Sequence, residues 1–451
     1  MTKYDIRNTR ELFMKKTVHF LESAITVLLA LIPFSMSIAP APMNVFMGLL
    51  IFCFLVKRIL KKEPIFFKSP LNIPLLLFFL LTCLSLVYTI NFKDTFRGGV
   101  LRLLQYVFVF LAAAQEVKNK RQLLLILFGV CAGLALTAAD EIWQVATGLD
   151  FIRGYATIIN LGLVRATASF KDANTLGIYL SALAPLVLGL ALYYPDAPTD
   201  PEGEGQRSGF RPEEAGNRAG LHKKGAKKVI FVLIGLLAVC GIVLTYSRPT
   251  LLALYVALFF MAVVRKDKVM VWVLVIGTLL APFILPSSIK NWAKQVNYNP
   301  MRFMCNDDRI AVYQHSLQMI QDRPVLGRGA NTFMKNFKNY NNPPHYRDVA
   351  VIDYIYAHNI YLHMAGELGL LGLGIFIWFI VALFASAKRI YARFKDDYLK
   401  VVLMSLSACL LAFLVNGLTE SSLYYARVAM IFWYLAGLTL ALGNINNADK
   451  P

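Results

Sequence analysis

The sequence predicts an all-α, polytopic integral membrane protein with about twelve transmembrane helices. Of its 451 residues, 57% are hydrophobic and 16% are charged, and the mean hydropathy is +0.55. Soluble domains do not have this composition. The hydrophobic residues also fall into runs of about 17 to 25 residues, the length that a helix needs to cross a bilayer.

The apolar runs are separated by polar stretches, most of them short. Residues 1–285 hold the first nine predicted helices, and residues 358–451 hold the last three and a cytoplasmic tail. The runs begin near Thr17, Met43, Leu71, Gly99, Gln122, Ala173, Lys228, Pro249, Val269, His358, Val401 and Tyr425.

The formal net charge of +19 comes mostly from short Lys and Arg clusters between the apolar runs. Membrane proteins concentrate such clusters on the cytoplasmic side. We therefore interpret the charge as a topology signal and expect no nucleic-acid partner. Because the segment before the first run is basic and the sides alternate from there, both termini are expected in the cytoplasm.

Two long polar segments interrupt this pattern. Residues 195–227 are rich in Pro, Gly and charges of both signs, which predicts a disordered cytoplasmic linker. Residues 286–357 are expected on the opposite, external side and contain several aromatic residues. There the apolar residues Ile310, Tyr313, Leu317 and Ile320 recur at helical spacing, which indicates an amphipathic helix in a folded loop.

The polar residues suited to chemistry concentrate on the predicted external side. Arg248 precedes a proline, which suits the first turn of a helix, so Arg248 is expected on a tight link between helices seven and eight. A cation there either reaches lipid headgroups or binds an anion at the external loop. Arg309 either pairs with Asp307 or Asp308 or takes part in the same anion site.

His358 is expected at the outer end of the tenth helix, where the helix dipole disfavours the imidazolium form. A neutral imidazole in this position can act as a general base, although an isolated histidine at a membrane interface can equally be structural. His363 and Glu367 share one helix face, four residues apart, and we interpret them as a structural contact. The glycines between 366 and 374 are expected to permit close helix packing.

Four sequence segments together resemble the O-antigen ligase and O-antigen polymerase superfamily. They are "RATASFKDANTLGIYL", "LTYSRPTLLAL", "DDRIAVYQHSLQMIQDRPVLGRGANTF" and "AHNIYLHMAGELGLLGLG", in this order along the chain. Each segment alone is degenerate. Their order and their placement on one predicted side of the membrane make the resemblance fairly specific.

The resemblance implies a GT-C-like glycosyltransferase architecture in the inner membrane, with an active site on the periplasmic side. It further implies transfer of a glycan from undecaprenyl pyrophosphate to an acceptor hydroxyl. Carried over to this sequence, Arg248 and Arg309 would bind the pyrophosphate and His358 would be the general base. Arg165, Asn174 and Asn359 would lie near the site. No cofactor or metal is expected.

The motifs leave the acceptor open. With lipid A-core as acceptor the protein is an O-antigen ligase, which is the reading we favour. A growing glycan on a second undecaprenyl pyrophosphate would make it a polymerase, and a serine or threonine acceptor would make it a protein oligosaccharyltransferase. A polyprenyl-linked glycan flippase is the non-enzymatic alternative, but it would require polar residues through the depth of the membrane.

Overall fold

The computed structural model describes residues 3–160, 162–195, 213–284, 287–305, 307–340 and 356–448. Within them, nine helices are long and apolar enough to cross a membrane, and three shorter apolar helices accompany them. The only strands in this part of the chain form one short hairpin, Ile158–Asn160 (β1) with Leu163–Arg165 (β2). The predicted all-α polytopic fold is confirmed.

The first part of the bundle contains nine helices. They are α1 (Lys3–Met36), α2 (Pro40–Lys61), α3 (Asn72–Leu84), α4 (Phe92–Glu116), α5 (Lys120–Thr147), α6 (Ala173–Tyr193), α7 (Glu213–Leu244), α8 (Arg248–Arg265) and α9 (Lys268–Ile284). Within α4, the stretch Thr95–Leu101 is π-helical. Helix α7 begins inside the segment predicted as a disordered linker, and residues 196–212 of that segment lie outside the described part.

Four short helices and three long ones complete the chain. They are α10 (Ser287–Gln295), α11 (Pro300–Met304), α12 (Asp307–Asp322), α13 (Phe333–Phe337), α14 (Ile360–Arg393), α15 (Asp397–Asn416) and α16 (Ala426–Ala448). Helices α10 to α13 form the folded loop that the sequence predicted, of which residues 286, 306 and 341–355 lie outside the described part. We call the end of the bundle that carries this loop the loop end.

The centre of the bundle consists of α6, α15 and α16. Their apolar windows are 83%, 78% and 89% buried, whereas those of α1 and α2 are only 33% buried. Helix α15 packs against α6 and α8, and α16 packs against α4. The side chains exposed on the outer helices are the ones that would face lipid.

Helix α12 confirms the amphipathic helix expected in the loop, but its buried face differs slightly from the prediction. Val312 and Met319 are fully buried and Tyr313 is nearly so, whereas Leu317 is 48% exposed. The difference arises because α12 packs against α14 and α13 on a face shifted by about one residue.

Helix α14 is broken at Gly369, whose φ is +69°. Four backbone hydrogen bonds join the break to residues 324–329 of the loop: Leu370 N to Pro324 O (2.7 Å), Leu371 N to Val325 O (3.3 Å), Arg328 N to Gly366 O (3.0 Å) and Gly329 N to Glu367 O (2.8 Å). A Cβ atom at position 369 would lie 2.0 Å from Val325 O. The expectation that the glycines from 366 to 374 all serve helix packing was therefore wrong for Gly369, which meets a loop, and for Gly374, which has no neighbour within 4 Å.

Candidate functional site

A cavity of about 300 Å³ lies at the loop end, where β2, α6, α8, α10 and α12 meet. Its wall contains three arginines, Arg165, Arg248 and Arg309, which the chain brings together from three distant segments. The remaining lining residues are Leu163, Asn174, Tyr246, Ser247, Pro249, Ile289, Trp292 and Met304. The cavity therefore combines positive charge with an apolar wall.

Arg165 reaches the cavity from the end of the β-hairpin. Its Nε donates a 2.6 Å hydrogen bond to Thr245 O, and its Nη2 donates a 2.7 Å bond to Asn174 Oδ1. Asn174 is held in the first turn of α6, where the Asp172 side chain accepts a hydrogen bond from Thr175 N. Burial lowers the pKa of Arg165, and nearby Arg309 lowers it further, while Asp172 and Glu420 oppose both effects.

Arg248 is the first residue of α8, on the tight turn that the sequence predicted, with Pro249 in the first helical turn. Its guanidinium lies 5.6 Å from the ring centre of Trp292 and 5.2 Å from that of Phe303, and it donates a hydrogen bond to Phe303 O. The loop helices thus hold Arg248 through aromatic faces and a carbonyl. No ion pair joins it to a carboxylate of the described residues, so its positive charge is not neutralised there.

Arg309 forms an ion pair with Glu420, a residue that the sequence analysis did not single out. Glu420 follows α15 and its side chain is only 3% exposed. Its Oε1 also accepts a 2.9 Å hydrogen bond from Asn174 Nδ2. Burial alone would raise the pKa of Glu420, but Arg309 and His358 outweigh burial and hold this pKa below its ordinary value.

His358 directly precedes Asn359, the N-cap of α14, and so stands just outside the helix. Its Nδ1 lies 3.3 Å from Glu420 Oε2, which links the imidazole to the arginine cluster through one carboxylate. Its backbone has a φ of +48°, a conformation that non-glycine residues rarely adopt. The hydroxyl of Tyr313 donates a 3.0 Å hydrogen bond to His358 O and so helps to hold this conformation.

Asn359 has a structural position beside the site. Its Oδ1 accepts hydrogen bonds from Tyr361 N (2.9 Å) and Leu362 N (3.0 Å), and its Nδ2 donates a 2.9 Å bond to Leu418 O. It therefore fixes the start of α14 and, with it, the neighbouring His358. Asn359 does not line the arginine cavity.

The predicted contact between His363 and Glu367 is present, with Nε2 and Oε1 3.2 Å apart. Both side chains are buried, and the ring of His363 stacks on that of Tyr424 at 3.4 Å. Glu367 also accepts hydrogen bonds from Asn331 N (2.7 Å) and Phe333 N (2.9 Å). This pair therefore joins α14 to the start of α13.

Glu420 is the functional candidate that sequence reasoning missed. It lies in "GLTESS", a short segment after a predicted helix, 62 residues from His358 and 111 from Arg309. The available signal was an isolated acid at the outer end of an apolar run, where a charge needs a partner. Among the residues that the structure describes, no group of three or more His, Cys, Asp or Glu side chains is arranged to hold a metal ion.

The fold and the cavity define a class of protein: a polytopic helical membrane protein with a cationic cavity at one end, beside a histidine and glutamate pair. Residues 233–377 match a family model described as O-antigen ligase, Wzy_C. This match confirms the resemblance to the O-antigen ligase superfamily.

The matched segment contains Arg248, Arg309 and His358, whereas Arg165, Asn174 and Glu420 lie outside it. No curated protein matches the chain. The family match supports a membrane glycosyltransferase activity of the O-antigen ligase-like family.

Proposed function

We propose that the protein transfers a glycan from undecaprenyl pyrophosphate to an acceptor hydroxyl, and that it is an O-antigen ligase with lipid A-core as the acceptor. In this proposal the loop end faces the periplasm, so that the reaction takes place at the outer face of the inner membrane. The family match gives the class of reaction, while the donor, the acceptor and the residue roles are our inference.

The excess of positive charge in the arginine cavity carries the proposal. The described side chains that line or touch it include three guanidinium groups, Arg165, Arg248 and Arg309, and one carboxylate, Glu420. A pyrophosphate that is esterified at both ends carries a charge of −2, which the arginines of this wall complement. Arginine is well suited to this ligand because its planar fork binds phosphate oxygens in pairs.

Glu420 gives His358 the protonation pattern of a general base. An ionised carboxylate can only accept hydrogen bonds, so Nδ1 of a neutral His358 must carry the proton in its 3.3 Å contact with Glu420. The lone pair then lies on Nε2, which can take a proton from the acceptor hydroxyl. The same carboxylate stabilises the imidazolium that results.

The reaction follows from these two features. As Nε2 of His358 removes the hydroxyl proton, the acceptor oxygen forms a bond to the anomeric carbon of the glycan. The bond between that carbon and the pyrophosphate oxygen breaks, and the electron pair leaves with the lipid pyrophosphate. Arg165, Arg248 and Arg309 stabilise the negative charge that grows on this oxygen. In other enzymes a divalent cation has this role.

A reconstituted assay tests the proposal. The purified protein in liposomes is given an undecaprenyl-pyrophosphate oligosaccharide and, in separate reactions, lipid A-core, a second lipid-linked glycan or a serine-containing peptide. A single transfer to lipid A-core supports the ligase, and a ladder of products would instead identify a polymerase.

His358→Ala is expected to abolish transfer, and full activity of that variant would refute the general-base role. Dependence on added Mg²⁺ would refute the metal-independent reaction.

A further inference from the structure

A second cavity of about 280 Å³ lies among α3, α4, α14 and α16, and it shares no lining residue with the arginine cavity. Much of its wall is apolar and aromatic, including Phe78, Leu103, Phe376 and Trp433. The cavity lies between membrane helices, where a lipid can reach it. Its volume is at the lower end of the range for ligand sites, so it can hold part of a lipid but not a whole one. The proposed transfer reaction makes no use of this cavity.

One cation lines this wall. Arg102 belongs to α4 and stands directly after the π-helical stretch, and the hydroxyl of Tyr106 is its polar neighbour. No ion pair joins Arg102 to a carboxylate within the described ranges. A half-buried cation within a membrane-spanning helix is costly without a counter-charge, which indicates that a ligand supplies one.

Glu367 also lines the cavity but is not the missing counter-charge. Its Oε2 accepts the hydrogen bond from Asn331 N, and its Oε1 faces Phe333 N and His363 Nε2. The carboxylate is thus occupied by the start of α13 and by a neighbouring imidazole. Arg102 remains available to an anion that enters the cavity.

The local backbone builds the cavity wall. Gly98 and Gly99 lie in the π-helical stretch and also line the cavity. A Cβ atom at Gly98 would lie 1.9 Å from Asn331 Nδ2, and one at Gly99 would lie 2.9 Å from Ala330 Cβ. The two glycines therefore let the loop close one side of the cavity. Stretches of π-helix inside α-helices occur frequently at functional sites.

We propose that this second cavity binds the phosphate group of a membrane lipid, with the phosphate on Arg102 and the adjoining part of the lipid chain against the apolar wall. The shared chemistry is a phosphate ester on an apolar chain. A phospholipid and a polyprenyl phosphate both provide it. The inference is independent of the proposed transferase activity.

Binding measurements on the purified full-length protein test this proposal. Native mass spectrometry counts the bound molecules and gives their affinities for dioctanoyl phosphatidylglycerol, farnesyl phosphate, uncharged farnesol and inorganic phosphate. The measurements are made in an Arg248→Gln background, which weakens anion binding at the arginine cavity. They therefore report on the second cavity whether or not the proposed function is correct.

We expect Arg102→Gln to reduce affinity for the lipid phosphates at least tenfold, because hydrogen bonds to charged groups are strong. Arg102→Lys should retain part of this affinity. Arg97→Gln is the matched control, since Arg97 is exposed on the same helix and does not line the cavity. If Arg102→Gln and Arg97→Gln bind the lipid phosphates equally well, the proposal is overturned. If the protein binds inorganic phosphate as tightly as farnesyl phosphate, the lipid part of the proposal is overturned.

A second variant keeps the test valid if Arg102→Gln does not fold. Thr82→Phe fills the cavity from α3 and leaves Arg102 in place, and it should also abolish binding of both lipid phosphates. Unchanged binding by Thr82→Phe would contradict the proposed location. Among the lipids, preferential binding of phosphatidylglycerol identifies a phospholipid site, and preferential binding of farnesyl phosphate identifies a polyprenyl site.

Discussion

The sharpest prediction concerns Glu420→Gln, which removes one charge and keeps nearly the same shape. In the protein, this carboxylate contacts His358 Nδ1 at 3.3 Å, accepts a 2.9 Å hydrogen bond from Asn174 and pairs with Arg309. A glutamine oxygen in the place of Oε1 can still accept the hydrogen bonds from Asn174 and Arg309, but an amide nitrogen in the place of Oε2 cannot accept one from His358. Glutamine cannot stabilise an imidazolium or neutralise an arginine.

The size of the effect follows from the contact with His358. The imidazolium forms only as the acceptor is deprotonated, so its hydrogen bond to Glu420 is strongest in the transition state. A hydrogen bond to a charged group contributes about 1.5 to 3 kcal/mol, so its loss should lower kcat roughly 10- to 150-fold. Because Glu420 is only 3% exposed, solvent does little to screen this interaction.

The measurement is initial-rate kinetics of glycan transfer in liposomes over a range of donor concentrations. Glu63→Gln is the matched control, because Glu63 also pairs with an arginine, Arg58, at 2.6 Å but lies far from the loop end. This control should leave kcat and KM unchanged. A Glu420→Gln enzyme with wild-type kcat would refute the reasoning. Loss of folding would be visible as a lowered melting temperature. The Glu420→Asp variant, which keeps the charge, separates an effect of charge from an effect of folding.

Three further predictions concern the same end of the molecule. Arg248→Lys keeps the charge but loses the planar fork, so kcat/KM for the lipid-linked donor should fall about tenfold or more, and an unchanged value would contradict bidentate binding. Gly369→Ala should lower the free energy of unfolding by at least about 1 kcal/mol, because Gly369 has a φ of +69° and a Cβ there would lie 2.0 Å from Val325 O. The control Gly374→Ala, where a Cβ would have no neighbour within 4 Å, should leave the free energy of unfolding unchanged or raise it slightly in thermal unfolding measurements. Because its folded-state pKa is lowered, ionised Glu420 stabilises the protein fully above the ordinary glutamate pKa, and this contribution is lost as the pH falls through the lowered value. Melting temperatures in this acidic range should therefore fall more steeply for the wild type than for Glu420→Gln, and parallel curves would contradict the assignment.

The fold was largely predictable because the membrane imposes a simple pattern on the chain. Twelve apolar runs were expected, and the described residues contain nine long and three short apolar helices. Local signals were also reliable: Pro249 marks the first turn of α8, and the four-residue spacing of His363 and Glu367 brings their side chains within 3.2 Å. Both features depend only on neighbouring residues in the sequence.

The assembly of the candidate site was less predictable, because it depends on packing between distant segments. The sequence left open whether Arg309 pairs with Asp307 or Asp308 or joins the anion site, and it did not single out Glu420, which pairs with Arg309 from 111 residues away. The break at Gly369 was equally hidden, since a glycine in an apolar run also suits close helix packing. A local pattern can indicate that an isolated acid or a glycine has a special role, but the residue that each one contacts is set by a distant segment.

The broken helix α14 also limits how the loop can move. Peptide groups within a membrane must find hydrogen-bond partners in the protein, because lipid chains provide none. At Gly369, residues 324–329 of the loop provide these partners through four backbone hydrogen bonds. Lifting this stretch away would expose unpaired peptide groups at a cost of several kcal/mol for each one. Residues 324–329 are therefore anchored to α14, and in the proposed reaction any opening of the loop that admits a substrate pivots around this stretch.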